Sequence, residues 1–374
     1  MRCCPGMDVV VADQEQITER QLGAMLFGFL AGGMDAFWPR YVAADAGGAS
    51  LASLGLATGL ALVLAGIMLK VARRVGRSGI VGYAAGVLGS PSGQTAGALY
   101  VLLLVFGAAQ PLAGVGLIGN VAFGWWAVAV PPLIFFLAGA CAVLAGLGLP
   151  AVARISEYAA PVVLLLFLAV GLVGLGRVDW AHFKPVLAAG WGPVWRGVLH
   201  LLGRFCAVYI LLLLVPFTVS GRRLVWLTPL VVGTAGLALA AGILPAGIYG
   251  AGAAAVSFIP FLQMLDDHVF SGAPRLMDPA VGLWLLGLVF QAVIAFVLLT
   301  TVLAQAAGTE RRRFLIPAGA AVAWTGLLLW SNAGGAYAFG ERYLRYFLFP
   351  AAIGVPLLLL LLPGLRMLWT GYKA

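Results

Sequence analysis

The run Phe27-Gly28-Phe29-Leu30-Ala31-Gly32-Gly33-Met34-Asp35-Ala36-Phe37-Trp38-Pro39-Arg40 puts residue types that can bind a polar molecule inside an apolar segment. Each Gly weakens a helix by roughly 1 kcal/mol relative to Ala, and Pro39 removes a ladder donor. In lipid, backbone groups freed in this way persist only where protein or a water-filled cavity satisfies them. An ionised side chain at mid-membrane costs at least about 2.5–3.5 kcal/mol, so Asp35 and Arg40 argue against a span that faces lipid all round. The run reads as a broken helix whose amides and carbonyls form a binding site. With 51 Gly in the chain, a packing seam is the competing reading, because small residues let membrane helices approach closely.

A zwitterion needs donors for its carboxylate and acceptors for its amine. Amides around Ala31, Gly32, Gly33 and Met34, at the start of the outer half of this helix, can bind a carboxylate through free N–H groups and the helix dipole. A second interrupted segment, His200-Leu201-Leu202-Gly203-Arg204-Phe205-Cys206, offers carbonyls near Gly203 for the amine. Phe205 and Tyr209 belong to the same wall of the site. Phe106 and Gln110, with Phe290 and Gln291, are candidates from two further apolar segments, the alternative for these four being ordinary packing or an interhelical hydrogen bond. Asp35 pairs with Arg204 or Arg40 as a gate over an outer vestibule, or the two arginines snorkel to the interface. Arg154 and Glu157, three residues apart, are spaced for a local pair.

The elements that position these residues follow from composition. The chain is 63% hydrophobic and 9% charged, and runs of 18 or more apolar residues recur, which specifies an all-α membrane protein with many spans. The net charge of +9 sits between the spans, where it signals topology rather than nucleic-acid binding. Cys3, Cys4, Cys141 and Cys206 show neither a disulfide framework nor metal spacing. His182, His200 and His268 are not beside a Cys, and no acid pair or phosphate loop stands out, so an enzyme is not expected, nor a cofactor or metal. Asp8, Asp13, Glu15 and Glu19 separate Arg2 from the first apolar run, unlike a signal peptide.

A capping pattern, Thr18-Glu19-Arg20-Gln21, opens the first helix. Ten spans are expected, over about 18–44, 51–71, 94–118, 128–147, 153–175, 198–219, 224–244, 279–304, 314–330 and 343–365. Residues 80–88 are too short to cross and lie at the interface, and 245–274 forms a helical hairpin on the rim. Spans 1 and 6, the interrupted ones, open the two halves of a single permease-like domain, residues 17–176 and 196–366. Interrupted segments at matching positions of two inverted halves point to a transporter's binding site. With the N-terminus inside, fourteen basic residues fall on inner segments and six on outer ones, which puts both termini in the cytoplasm.

The start Ile17-Thr18-Glu19-Arg20-Gln21-Leu22, followed by Phe29, Gly32 and Pro39, resembles the opening of the spore germination permeases, the GerAB-type B subunits of germinant receptors. These belong to the amino acid–polyamine–organocation superfamily. Ala153-Arg154-Ile155-Ser156-Glu157-Tyr158-Ala159-Ala160-Pro161 and Phe183-Lys184-Pro185-Val186-Leu187-Ala188-Ala189-Gly190-Trp191-Gly192-Pro193 carry the same likeness. Two departures are Gly47-Gly48-Ala49-Ser50, where an acidic-Ala-Trp run is usual, and the absence of an acid in the middle of span 6. The resemblance implies a LeuT-like fold of two inverted five-helix repeats with helices 1 and 6 broken. It implies a small amino-acid-like ligand at mid-membrane, a membrane-anchored A subunit and a lipoprotein C subunit as partners, and a bacterial cell membrane or spore inner membrane as location. A stand-alone amino acid transporter of the same fold, and a subunit without a ligand, remain as alternative readings.

Overall fold

Lipid offers no partners for backbone groups, so apolar sequence on this scale resolves into helices. The computed structural model describes residues 16–32, 38–124, 130–187, 189–219, 221–270, 272, 274–331 and 347–361, and these are helical almost throughout. The first helix, α1 (Glu19–Phe27), starts as its capping pattern requires. The Thr18 hydroxyl accepts from the Gln21 amide at 3.2 Å, and the Gln21 side chain accepts from the Thr18 amide at 3.0 Å. A π-helical segment, Gly28–Gly32, follows. Beyond it α2 (Trp38–Ala46) passes through a single 3-10 turn, Gly47–Ala49, into α3 (Ser50–Val75).

The short α4 (Gly79–Leu88) precedes α5 (Ser90–Phe123), α6 (Val130–Gly146) and α7 (Leu149–Leu175). The second half opens with α8 (Trp191–Phe205), a 3-10 segment Cys206–Ile210, α9 (Leu211–Leu214) and a second 3-10 turn, Val215–Phe217. Then come α10 (Leu224–Tyr249), α11 (Ala251–Val256), α12 (Pro260–Met264), α13 (Met277–Ala307) and α14 (Leu315–Ser331), and a helix over Pro350–Leu361. The segment read from the sequence as a rim hairpin contains the end of α10, α11, α12 and a π-turn, Leu265–Val269.

Seven helices among the described residues are long and apolar enough to cross a membrane, and three shorter apolar helices accompany them. The ten expected spans are therefore not ten uniform helices. Span 1 is divided between α1, the π segment and α2, whereas spans 4 and 10 are represented by Val130–Gly146 and Pro350–Leu361.

The core is built around α13, which is apolar on all sides and buried along most of its length, as expected of a helix enclosed by others. α5, α6 and α7 pack against it, and the π segment of helix 1 lies against it as well. By contrast α7 leaves Leu165, Leu172 and Val173 on the outside, the pattern of a helix facing lipid.

Candidate functional site

Helix 1 changes geometry where its side chains disappear. A Cβ on Gly28 would lie 2.7 Å from the Phe290 ring, and a Cβ on Gly32 would lie 2.8 Å from the Gly287 carbonyl oxygen. The missing side chains let the widened turn sit directly on α13. Such π-turns inside α-helices occur frequently at functional sites.

Helix 6 also leaves the α-helical path, but three residues later than the sequence suggests. Gly203 lies within α8 and is buried there, and the chain tightens into 3-10 geometry at Cys206–Ile210. One Gly costs roughly 1 kcal/mol, too little to break a helix that is packed on its neighbours. The interruption is a narrowing rather than an opening, so the free carbonyls expected near Gly203 are not provided by a gap at that residue.

The two irregular segments meet around aromatic rings. Phe29, in the π segment, stands edge-on to Tyr209, in the 3-10 segment, with ring centroids 6.1 Å apart and planes at 87°. Tyr209 in turn lies 5.9 Å from Tyr100 of α5, and the Tyr100 hydroxyl donates to the Ala351 carbonyl at 3.3 Å. Gly107 of α5 closes the group. A Cβ there would meet Phe29 at 3.5 Å, Ala295 at 3.6 Å and the Tyr209 hydroxyl at 3.6 Å. The π segment of helix 1, the 3-10 segment of helix 6, α5, α13 and the helix over Pro350–Leu361 thus converge on two phenols and a phenyl ring.

Of the residues singled out from the sequence, Tyr209 is in this cluster, and Phe290 lies beside it on α13 against Gly28. Ala31, Phe205 and Gln291 are buried on helices 1, 6 and α13, and Gly32 is buried on the Gly287 contact. Phe106 is half-buried and Gln110 is exposed, so Gln110 is not one of the enclosed side chains. Gly33, Met34 and Asp35 lie outside the described residues. Phe29, Tyr100 and Gly107 are not among the site residues that the sequence singles out. A visible signal for Tyr100 was a hydroxyl alone in the apolar run from Ala96 to Ala109.

The charged residues are arranged differently from the sequence expectation. Arg40 reaches the rim, where its Nε donates to the Ala255 carbonyl of α11 at 2.9 Å. Arg204 is half-buried on α8. Glu157 pairs with Arg20 of α1 at 2.9 Å rather than with Arg154, so it joins two helices where a local pair was expected. Asp45, at the end of α2, joins the two halves: its carboxylate is 2.5 Å from His200 Nε2 on α8, and Tyr41 stacks on the same imidazole at 6.3 Å.

At the opposite end of the pair, the Ile17 amide donates to the Phe217 carbonyl at 2.9 Å and the Val219 amide to the Ile17 carbonyl at 3.2 Å. The start of helix 1 is therefore held to the end of helix 6, and the end of helix 1 to the start of helix 6. This antiparallel pairing fixes the two irregular segments side by side.

In comparisons with known proteins, a family model described as "Spore germination protein" matches residues 16–327. No curated protein matches the sequence. Among solved structures, the chain resembles Mhp1, a nucleobase-cation-symport-1 family transporter solved in a closed conformation with bromovinylhydantoin bound. The TM-score is 0.59 at 15% identity, over 92% of this chain and 78% of that one. A mutant manganese transporter from Eremococcus coleocola aligns at a TM-score of 0.47 and 13% identity, over 92% of this chain and 77% of that one. The likeness to Mhp1 shows the fold, that of the LeuT-like transporters.

Proposed function

Because the chain belongs to the spore germination protein family, we propose that it is the membrane-embedded B subunit of a germinant receptor and binds a small amino-acid-like germinant at mid-membrane. The observation that carries this reading is the meeting of Phe29 and Tyr209 where helices 1 and 6 both leave α-helical geometry. Irregular backbone at membrane depth is tolerated where it is enclosed by protein or lines a cavity, and binding sites of inverted-repeat permeases lie at such discontinuities. In this reading residues 17–176 and 196–366 are the two inverted repeats. Ala31, Gly32, Gly33 and Met34 supply amides to the carboxylate, and Tyr209 and Phe290 wall the site. The partners are an A subunit with a soluble domain and a lipoprotein C subunit. In the same reading both termini are cytoplasmic, favoured by fourteen basic residues on one side against six on the other, and the membrane is a cell membrane or spore inner membrane.

The second reading is a stand-alone secondary amino acid transporter, favoured by the fold shared with Mhp1. Co-expression with germinant-receptor A and C subunits, followed by affinity capture and amino acid uptake into proteoliposomes, separates the two. A receptor subunit is retained in a three-component complex without net uptake. A transporter accumulates substrate with no other subunit present.

A further inference from the structure

At one end of the bundle, a groove of about 390 Å³ is lined by α3 and α10, within the size range of small-molecule sites. Gly66, Lys70 and Arg73 line it from α3, and Val225, Thr228 and Pro229 line it from α10. Its walls are almost wholly apolar, but its mouth is basic. Lys70 and Arg73 are exposed, and Arg74, Arg222 and Arg223 lie at the same end of the two helices. No acidic residue lines it. Glu19, at the neighbouring corner, accepts from the Arg223 amide at 3.0 Å. Arg73 is steadied by donating to the Gly221 carbonyl at 3.0 Å.

Two polar features inside the groove call for a ligand. Thr228 is 2% exposed, and its hydroxyl has no hydrogen-bond partner among the described residues, although a buried hydroxyl is normally paired. One residue on, Pro229 within α10 has no N–H to give the Val225 carbonyl four residues back. Exposed Trp226 marks the depth, since Trp collects at the headgroup level of a bilayer. Exposed Leu62 and Val63 on α3 and Leu230 on α10 continue toward the hydrocarbon.

We infer that this groove holds one anionic phospholipid, with its phosphate between Lys70 and Arg73, its polar linkage at Thr228 and the Val225 carbonyl, and an acyl chain along the apolar walls. Its charge matches the basic mouth, and its tail matches a lining that a free phosphate would leave empty. The site lies on the outside of the bundle and is independent of the germinant proposal.

Gly66 gives a clean test, because nothing lies within 4 Å of a Cβ built there. The Cβ of Gly66→Leu is therefore accommodated, its larger side chain intrudes on the groove that Gly66 lines, and Leu is the better helix former. The full chain, extracted from membranes containing phosphatidylglycerol, is measured by native mass spectrometry as wild type, Gly66→Leu, Lys70→Gln and Thr228→Val. Arg312→Gln, in another basic loop, is the charge control. One retained phosphatidylglycerol per wild-type chain is expected, lost in Gly66→Leu and unaffected by Arg312→Gln. Lys70→Gln should weaken retention about fivefold, the effect of removing one basic residue near an anionic surface. Equal retention in Gly66→Leu, equal retention of phosphatidylcholine, or displacement by millimolar inorganic phosphate would each overturn the assignment.

Discussion

Gly32 and Gly287 meet backbone to backbone: a Cβ on Gly32 would lie 2.8 Å from the Gly287 carbonyl oxygen, and one on Gly287 would lie 3.2 Å from that of Gly32. The approach seats the π segment of helix 1 on α13, which brings Phe29 toward Tyr209. Gly32 is thus a packing position as well as part of the irregular turn. The two readings of the glycine run are compatible at this residue.

Gly32→Ala should therefore destabilise the protein by about 1–3 kcal/mol, the usual cost of overpacking where backbone must move. Gly287→Ala, with the longer contact, should cost less. Melting curves of the purified variants check the order. Equal, negligible losses would mean that the two helices are not in contact at this point.

The Arg40 contact to Ala255 makes α11 dependent on α2. A hydrogen bond from a charged donor is worth about 1.5–3 kcal/mol, and Arg40→Gln should release the hairpin locally rather than unfold the bundle. Hydrogen exchange of residues 251–256 should rise while that of α13 stays unchanged. Unaltered exchange in the hairpin would show that Arg40 does not hold it.

Two side-chain contacts made by carboxylates should behave differently. Asp45 and His200 are both partly buried and are shared by α2 and α8. Asp45→Asn and His200→Gln should be coupled by at least about 0.5 kcal/mol in a double-mutant cycle. The Arg20 side chain is 82% exposed, and Arg20→Ala should cost less than about 1 kcal/mol. Additive losses at Asp45 and His200 would contradict the assignment of their contact as the tie between α2 and α8.

Much of this organisation is legible in the sequence because it rests on local chemistry. Thr18 and Gln21 form the capping box at the spacing that specifies it, and the glycine-rich run announces the irregular turn of helix 1. Partners are less legible. Glu157 is spaced to pair with Arg154, yet a residue distant in sequence, Arg20, takes it. Gly203 resembles a break, but a lone Gly in a packed helix is absorbed, and the irregularity falls at Cys206–Ile210, where no Gly or Pro marks it. Phe29 becomes a site candidate only when five helices converge, which no single stretch of sequence displays.

A small ligand bound where Phe29, Gly107 and Tyr209 meet would be detected by thermal unfolding of the purified full chain against amino acids, sugars and nucleosides. A ligand at a hundredfold excess over its dissociation constant stabilises the native state by about 2.7 kcal/mol. At least one amino acid should raise the melting temperature, and the shift should be lost in Gly107→Leu and reduced in Tyr209→Phe but retained in Gly66→Leu. A folded protein whose melting no compound shifts, or a shift that survives intact in both Gly107→Leu and Tyr209→Phe, would contradict binding there.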